Sequence, residues 1–343
     1  MATRTLGSTG MHVSQLALGT MMFGKWGEPD HDVSISIIHR ALDAGITLVD
    51  TADMYSFGES EIIVGKALVG RRDDVILATK FHNPMGRTDP LKRGNSRRWI
   101  IKEVEDSLRR LQTEWIDLYQ VHRPEPGTDF EETLGALSDL VTQGKIRYIG
   151  TSTFPATQIV EGQWLAEKKH LKRVVAEQPP YSIFVRGIEI DVLPTAQKYG
   201  MGTLTWSPLA GGWLSGRYRI EGSTASNSAT TIRSASPGFD ADLPGNQAKL
   251  IAADALARLA EEVGITLPQL ALAFVLEHPG VTSVITGPRT MEQLETQLGS
   301  DEIKLTEDVL DRIDQIVAPG TNLEGTDGGW ALPWMTPQAR RRG

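Results

Sequence analysis

Cysteine is absent from this chain of 343 residues. Its absence excludes disulfide bonds, thiolate metal sites and cysteine nucleophiles, and it is compatible with a reducing compartment. The N-terminal segment lacks the apolar core of a secretory signal. The longest apolar stretch, residues 270–276, is far shorter than the ~20 residues that a membrane-spanning helix needs. We therefore expect a soluble, cytoplasmic protein that does not enter a membrane.

A surplus of positive charge is also absent. The chain has 35 Lys and Arg against 43 Asp and Glu, a formal net charge of -8, and its longest basic block is the arginine run at 340–342. Proteins whose main partner is nucleic acid or an anionic membrane use concentrated positive charge. We therefore expect neither partner, and we expect a monomer or a homo-oligomer.

Eight apolar runs of strand length alternate with helix-like segments along the chain. Near-continuous apolar runs are typical of strands that are buried on both faces of a parallel sheet. The runs lie at residues 15–19, 47–51, 75–80, 116–122, 146–152, 174–178, 202–207 and 281–286. The helix-like segments lie at 32–44, 59–69, 96–110, 129–143, 155–169, 188–198, 248–262, 268–277, 290–299 and 306–317.

This alternation predicts a closed (β/α)8 barrel formed by one domain over residues 1–343, with a doubly wound open sheet as the alternative. No Gly-x-Gly-x-x-Gly motif follows the first strand, which disfavours the open dinucleotide-binding sheet. Residues 4–14 predict a small hairpin that caps the barrel bottom. Residues 220–247, rich in Ser, Thr, Gly and Pro, predict a long mobile loop after strand seven. Residues 319–343 form a C-terminal extension.

Polar side chains end almost every predicted strand. The C-terminal strand ends of a (β/α)8 barrel, with the loops that follow them, form the active site. In strand order the residues at this rim are Asp50, Tyr55, Lys80, His122, Ser152, Gln178, Trp206 and Ser207. We therefore expect their side chains to converge on one site.

Four of these residues suit the reduction of a carbonyl group. A carbonyl that accepts hydride needs a proton donor at its oxygen, and a tyrosine such as Tyr55 can act in this way. A cation beside the phenol, Lys80, makes release of the proton easier, and Asp50 keeps Lys80 charged and in place. His122 can donate a hydrogen bond to the carbonyl oxygen. We predict that these four residues form the catalytic group.

Two other barrel chemistries fit the rim less well. A glycosidase needs two carboxyl groups about 5–10 Å apart, yet strands four and seven end without a carboxylate. A metal-dependent hydrolase needs His and Asp ligands from several strands, and only His82 and His122 qualify at this rim. We therefore predict no metal site.

The residues around the catalytic group resemble the signature of the aldo-keto reductases. The sequence DTADMY at 50–55 is followed by GESE at 58–61, Lys80 follows LAT at 77–79, and His122 follows DLYQV at 117–121. SPLAGG at 207–212 and LSGR at 214–217 are similar to the branch that contains bacterial reductases and potassium-channel β subunits. The resemblance implies NAD(P)H-dependent reduction of a small aldehyde or ketone. The alternative that it leaves open is an NADP(H)-binding, redox-sensing subunit with little turnover.

The resemblance also implies a cofactor site for NADP(H), with NADH as the alternative cofactor. It implies that Ser152 and Gln178 bind the nicotinamide carboxamide, that Trp206 stacks on the nicotinamide, and that Arg289 lies at the adenosine 2′-phosphate. The full implied set is Gly19, Thr20, Asp50, Ser152, Gln178, Trp206, Ser207, Leu209, Gly211, Arg217, Gly287, Arg289 and Gln293.

The substrate pocket is expected to be formed by side chains at the same rim. These are Trp26, Tyr55, Phe81, His122 and Arg123. The extension at 319–343, which contains Trp330 and Trp334, is a candidate cover for this pocket. No sequence feature identifies the carbonyl substrate.

Overall fold

The structure, a computed structural model, describes residues 1–86, 89–221 and 237–329. Its strands are β1 (Thr3–Thr5), β2 (His12–Ser14), β3 (Leu16–Gly19), β4 (Leu48–Asp50), β5 (Ile76–Phe81), β6 (Ile116–Val121), β7 (Ile146–Ser152), β8 (Val174–Gln178), β9 (Gly202–Thr205) and β10 (Ser283–Thr286). Strands β3 to β10 close into a barrel in which every strand is parallel to its neighbours. The predicted (β/α)8 barrel is confirmed, and the open sheet is excluded.

A helix connects each barrel strand to the next, and two helices, α7 and α8, precede β10. The helices are α1 (His31–Asp43), α2 (Glu59–Ala67), α3 (Arg97–Leu111), α4 (Phe130–Thr142), α5 (Ala156–Lys169), α6 (Val192–Lys198), α7 (Gln247–Glu262), α8 (Leu267–Glu277), α9 (Met291–Gln297) and α10 (Glu307–Ile316). Side-chain caps fix several helix starts. Asp30 accepts from the backbone of α1, and Thr266 forms a capping box with Gln269 at the start of α8.

One predicted helix differs from the structure. Residues 188–198 form a 3-10 turn at Gly187–Glu189 followed by the shorter helix α6. The break lies at Asp191, whose φ of −141° is not helical. Pro194 has no backbone N–H, so it fits only within the first turn of the helix that follows.

The N-terminal hairpin of β1 and β2 closes the bottom of the barrel. Leu6 in its turn and Val13 in β2 are fully buried and belong to the cluster inside the barrel. Their interior partners come from seven strands: Ala17, Leu48, Ala78, Leu118, Ala176, Leu204 and Ile285. The predicted hairpin cap is therefore confirmed, and the opposite, C-terminal end of the barrel is left for the polar side chains.

A larger apolar core lies between the strands and the surrounding helices. Within the described residues, no single helix has the length and apolar character to cross a membrane. Pro244–Glu262 and Leu267–Glu277 meet the requirements of length and apolar character only as a pair, and this pair is bent by 92°.

Candidate active site

The alternation of side chains along the strands directs a layer of polar groups into the C-terminal half of the barrel. Leu48, Ala78 and Leu118 belong to the interior cluster, so the residues two positions later, Asp50, Lys80 and Gln120, also point inward. These side chains are almost fully buried. Buried polar groups need hydrogen-bond partners, and here they find them in one another.

The ammonium group of Lys80 is the centre of this layer. Its Nζ donates to Asp50 Oδ2 at 2.5 Å, to the carbonyl oxygen of Thr51 at 2.9 Å and to Tyr55 Oη at 3.4 Å. Each of the three N–H donors of the ammonium group therefore has an acceptor. Burial lowers the pKa of Lys80, but the charges of Asp50 and Tyr55 outweigh burial, so the pKa lies above its ordinary value. Lys80 is a fixed cation at the phenol oxygen.

Asp50 is held from across the barrel by two amides. Gln178 Nε2 and Gln120 Nε2 both donate to Asp50 Oδ1, at 2.8 and 3.1 Å, and Gln178 Nε2 also lies 3.1 Å from Gln120 Oε1. Strands β4, β6 and β8 are not neighbours, so these bonds cross the interior. They fix the carboxylate that pairs with Lys80. Sequence reasoning missed Gln120, although its position two residues before His122 places it on the same face of β6.

Tyr55 lies on a tight turn after β4 whose backbone is strained. Ser56, Phe57 and Gly58 have φ values of 48°, 55° and 93°, a left-handed conformation that costs energy for residues other than glycine. Ser56 stabilises the turn, because its Oγ accepts from the backbone of Trp26 and donates to the carbonyl of Phe23. The turn thereby brings the rings of Trp26 and Tyr55 to 6.3 Å.

His122, directly after β6, faces the Tyr55 phenol across the site. Its ring centroid lies 6.0 Å from that of Tyr55, with the planes at 80°. Burial, together with the charges of Lys80, Arg123 and His82, lowers the pKa of His122 well below its ordinary value, so the imidazole is neutral. Asn83 Nδ2 donates to His122 Nδ1 at 3.0 Å, which places the ring proton on Nε2. Sequence reasoning missed Asn83, which follows β5 without any motif of its own.

Ser152, Thr153 and Arg123 form the wall beside Trp206. Ser152 Oγ donates to the carbonyl of Gln178 at 2.9 Å. Arg123 Nη1 donates to Thr153 Oγ1 at 3.1 Å and lies 3.4 Å from Ser152 Oγ. The Arg123 guanidinium lies 5.9 Å from the ring centroid of Trp206. The rim residues of β4 to β9 thus surround one site.

A sequence profile of the Aldo/keto reductase family matches residues 15–318. The chain belongs to the aldo/keto reductase family. It is similar to the aldo-keto reductase YhdN of Bacillus subtilis, with 39% identity over 304 residues, 86% of this chain and 87% of that protein. A second protein of the same organism, named uncharacterized oxidoreductase YrpG, is 38% identical over 323 residues, 91% of this chain and 94% of that protein. A putative voltage-gated potassium channel subunit beta of Schizosaccharomyces pombe is 35% identical over 325 residues, 92% of each chain.

Family membership agrees with the resemblance found in the sequence. Aldo/keto reductases are oxidoreductases that bind nicotinamide cofactors and act on small carbonyl compounds. Within the described residues of this aldo/keto reductase, no group of three or more His, Asp or Glu side chains has the arrangement of a metal site.

The residues assigned to the cofactor by resemblance follow the strand ends around the rim. Thr20, after β3, is fully buried and bonds to Ser60 Oγ at 2.8 Å. Ser207, after β9, has a left-handed backbone with φ 61° and accepts from the backbone of Gly211 at 3.1 Å. Leu209 precedes the 3-10 turn Ala210–Ser215, and the exposed Arg217 follows it.

A second part of the set follows β10. Gly287 is exposed, with open space where a Cβ would lie. The backbone N–H of Arg289 donates to Gln293 Oε1 at 2.8 Å, which fixes the turn at the start of α9. Gly19, at the end of β3, lies against β10, because a Cβ there would come within 2.7 Å of Ile285.

Phe81 is a correction to the expected pocket wall. Lys80 points into the barrel, so its neighbour in β5 points outward to the helices. The ring of Phe81 is fully buried and packs on Tyr119, with 4.9 Å between centroids. It belongs to the core and not to the pocket.

Parts of two predicted segments lie outside the described residues. These are residues 222–236 of the loop at 220–247 and residues 330–343 of the extension, including Trp330 and Trp334. The described end of the extension reaches the site. A Cβ on Gly329 would lie 2.7 Å from the Trp206 ring, and Asp327 pairs with Lys249 of α7 at 2.6 Å.

Proposed function

We propose that this aldo/keto reductase catalyses the NADPH-dependent, reversible reduction of an aldehyde or ketone, with Tyr55 as the general acid. The observation that supports this most is the position of Lys80 Nζ, between Asp50 Oδ2 at 2.5 Å and Tyr55 Oη at 3.4 Å. A fixed cation at a phenol oxygen favours the phenolate that remains when the proton leaves. Bound nicotinamide supplies the hydride for such a reduction.

The side chains of this chain divide the remaining tasks. Neutral His122 has its proton on Nε2 and donates a hydrogen bond to the carbonyl oxygen, which orients the carbonyl without competing as an acid. Asp50, held by Gln120 and Gln178, keeps Lys80 charged. The Tyr55 hydroxyl then delivers its proton to the oxygen that accumulates negative charge.

The chemistry of the rim donors fits a phosphorylated dinucleotide. Arg217 and Arg289 follow β9 and β10, and Ser207 and Gly211 have left-handed backbones, a conformation found in turns that bind anions. We assign the nicotinamide carboxamide to Ser152 and Gln178, and the stacking face to Trp206. Arg289 favours NADPH over NADH, because a guanidinium binds phosphate through paired hydrogen bonds.

We propose that the extension at 319–343 covers the substrate pocket. The close approach of Gly329 to the Trp206 ring supports this proposal. We propose that this extension and the barrel form one domain. A cytoplasmic location, and a monomeric or homo-oligomeric state, stay predictions.

Replacement of Tyr55 by Phe tests the proposed function. Tyr55→Phe removes the proton donor and keeps the ring, so we expect kcat to fall by at least ~10²-fold while NADPH binding, measured by calorimetry, is unchanged. Tyr199→Phe, which removes a hydroxyl at the end of α6, is the matched control and should keep full activity. Turnover of Tyr55→Phe near the wild-type rate would remove Tyr55 from the mechanism.

A second candidate function is favoured by two relatives. The Schizosaccharomyces pombe protein is named a putative voltage-gated potassium channel subunit beta. A protein from Arabidopsis thaliana, 34% identical over 324 residues, is named a probable one. A redox-sensing subunit of this kind would bind NADP(H) and turn over slowly. Tight NADPH binding together with failure to oxidise it in the presence of a panel of aldehydes would favour this second function.

A further inference from the structure

Arg123 has an unused hydrogen-bonding edge in the site. Among the described residues its hydrogen bonds all involve Nη1, which donates to the carbonyl oxygen of His122 at 2.6 Å and to the hydroxyls of Thr153 and Ser152. In the part of the chain that the structure describes, Nε and Nη2 donate no hydrogen bond. Arginine has five N–H donors in a planar fork, so the Nε–Nη2 edge is left for a ligand.

Within the described ranges, the charge of Arg123 also lacks a close partner. Among the described residues no carboxylate lies within ion-pair distance of its guanidinium. Glu177, the carboxylate whose charge reaches Arg123, uses its oxygens elsewhere: one accepts from Thr151 Oγ1 at 2.5 Å and the other from the backbone of Phe154 at 3.0 Å. Lys80, by contrast, is paired with Asp50 at 2.5 Å.

The environment of Arg123 makes this charge costly. The residue is half-buried, burial lowers its pKa, and its guanidinium lies beside the Trp206 ring. A desolvated cation without a counter-charge destabilises a protein, and an anion that enters the site recovers this cost. Arg123 directly follows His122 in the chain, and Tyr55 lies near enough to act electrostatically on its guanidinium. An anion bound there lies next to the reacting carbonyl.

We propose that Arg123 binds a carboxylate of the substrate, so that this enzyme reduces carbonyl compounds that also carry a carboxylate. The inference rests on the proposed function and specifies its substrate class. The two oxygens of a carboxylate match the Nε–Nη2 edge in one plane. The bond to the carbonyl of His122 holds the fork beside the residue that orients the carbonyl.

Paired substrates test this proposal. The acids are 2-, 3- and 4-carboxybenzaldehyde, and each is compared with the formylbenzamide of the same substitution, which has nearly the same shape without the charge. We expect kcat/KM of wild-type protein to be about 10- to 100-fold higher for the best acid than for its amide, mainly through KM. Arg123→Met should abolish this preference, so that kcat/KM becomes about equal for the acid and its amide, whatever its effect on the two together. Arg123→Lys, which keeps the charge but not the fork, should retain part of the preference.

Controls and binding measurements separate the outcomes. Lys92→Met removes an exposed cation paired with Asp89 and should keep the preference, and thermal unfolding should match for all variants. In calorimetry, NADPH-loaded wild-type protein should bind 4-(hydroxymethyl)benzoate more tightly than the corresponding amide, and Arg123→Met should not. If Arg123→Met lowers kcat/KM equally for the acid and the amide, or weakens NADPH binding, Arg123 serves the cofactor and the proposal is overturned. Wild-type protein that reduces amides as well as acids overturns the substrate class alone, whereas wild-type protein that reduces neither overturns the proposed function as well.

Discussion

At the residue scale, neighbouring charges give two buried bases, Lys80 and His122, different protonation states, although burial lowers the pKa of both. Asp50 reverses this effect at Lys80, so the ammonium persists. At His122 the positive charges of Lys80 and Arg123 add to the effect of burial, so the imidazole stays neutral. The site therefore combines one permanent cation at the phenol with a neutral hydrogen-bond donor.

Asn83 is predicted to fix the tautomer of His122. Its Nδ2 donates to His122 Nδ1 at 3.0 Å, so Asn83→Ala should lower kcat about tenfold with NADPH binding unchanged. Asn83→Asp should lower it further, because a carboxylate accepts from Nδ1 and draws the ring proton away from Nε2. Nitrogen NMR of the imidazole should report this change of tautomer. Wild-type kcat in Asn83→Asp would contradict the assigned role.

Arg289 is predicted to select the cofactor. Arg289→Ala should weaken NADPH binding about 10- to 100-fold, the effect of losing charge-assisted hydrogen bonds, and should change NADH binding little. The backbone of Arg289 is held by Gln293 Oε1 at 2.8 Å, so the turn should survive the loss of the side chain. Gln293→Ala is the matched control, because loss of that support should weaken both cofactors alike. If Arg289→Ala also weakens both alike, Arg289 supports the loop and does not recognise the phosphate.

At the scale of elements, the segment after residue 236 packs on the loop after β9. Trp213 Nε1 donates to the carbonyl of Gly238 at 3.1 Å, and Tyr218 Oη donates to that of Phe239 at 3.2 Å. A Cβ on Gly211 would come within 2.4 Å of the Phe239 ring. The segment after residue 236 and the loop after β9 therefore pack so closely at Gly211 that a larger side chain does not fit there.

Two glycines of this loop form a matched pair of tests. Gly211 and Gly216 both have positive φ, 69° and 86°, but a Cβ on Gly216 meets nothing within 4 Å. Gly211→Ala should displace Phe239 and weaken binding of NADPH and NADH by about tenfold or more, whereas Gly216→Ala should show only the smaller cost of backbone strain. Equal affinities of the two variants, measured by cofactor fluorescence, would exclude a role for the Phe239 contact.

The barrel and most of its rim could be predicted from the sequence because apolar alternation and strand ends are local patterns. Lys80 and His122 are therefore found without a structure. The prediction that Phe81 lines the pocket was wrong. Phe81 is next to Lys80 in β5, but the pleat of the strand directs neighbouring side chains to opposite faces, so Phe81 points away from the pocket. Asn83 and Gln120 act through contacts between strands that no local pattern specifies.

At the scale of the whole molecule, a buried acidic cluster is predicted to make stability depend on pH. Asp53, Glu61 and Glu103 are fully or almost fully buried around Arg110, which bonds to Glu61 and Glu103. Burial, reinforced by Glu61 and Asp106 and opposed by Arg110, raises the pKa of Glu103 to about 7. The folded state therefore holds this proton more tightly than the unfolded state, where the pKa is near 4.5.

The sign of the effect follows from proton linkage. The free energy of unfolding should decrease by on the order of 3 kcal/mol as pH rises from about 4.5 to about 7, and the loss should be complete above that range. Glu103→Gln removes the charge, so its Tm should exceed that of wild type at pH 8 and not at pH 5. Glu105→Gln, at a partly exposed position on the same helix, should shift Tm similarly at both pH values. A Glu103→Gln shift that is the same at both pH values would contradict the linkage.

Transfer of labelled hydride tests the central claim most directly. Wild-type protein is incubated with 4-carboxybenzaldehyde and with NADPH in which both hydrogens at C4 of the nicotinamide are replaced by deuterium, and the alcohol is analysed by mass spectrometry. The account predicts one deuterium on the former carbonyl carbon for each NADPH oxidised, and loss of this product in Tyr55→Phe. An alcohol without deuterium, or NADPH oxidation without alcohol, would contradict a direct reduction of the carbonyl at this site.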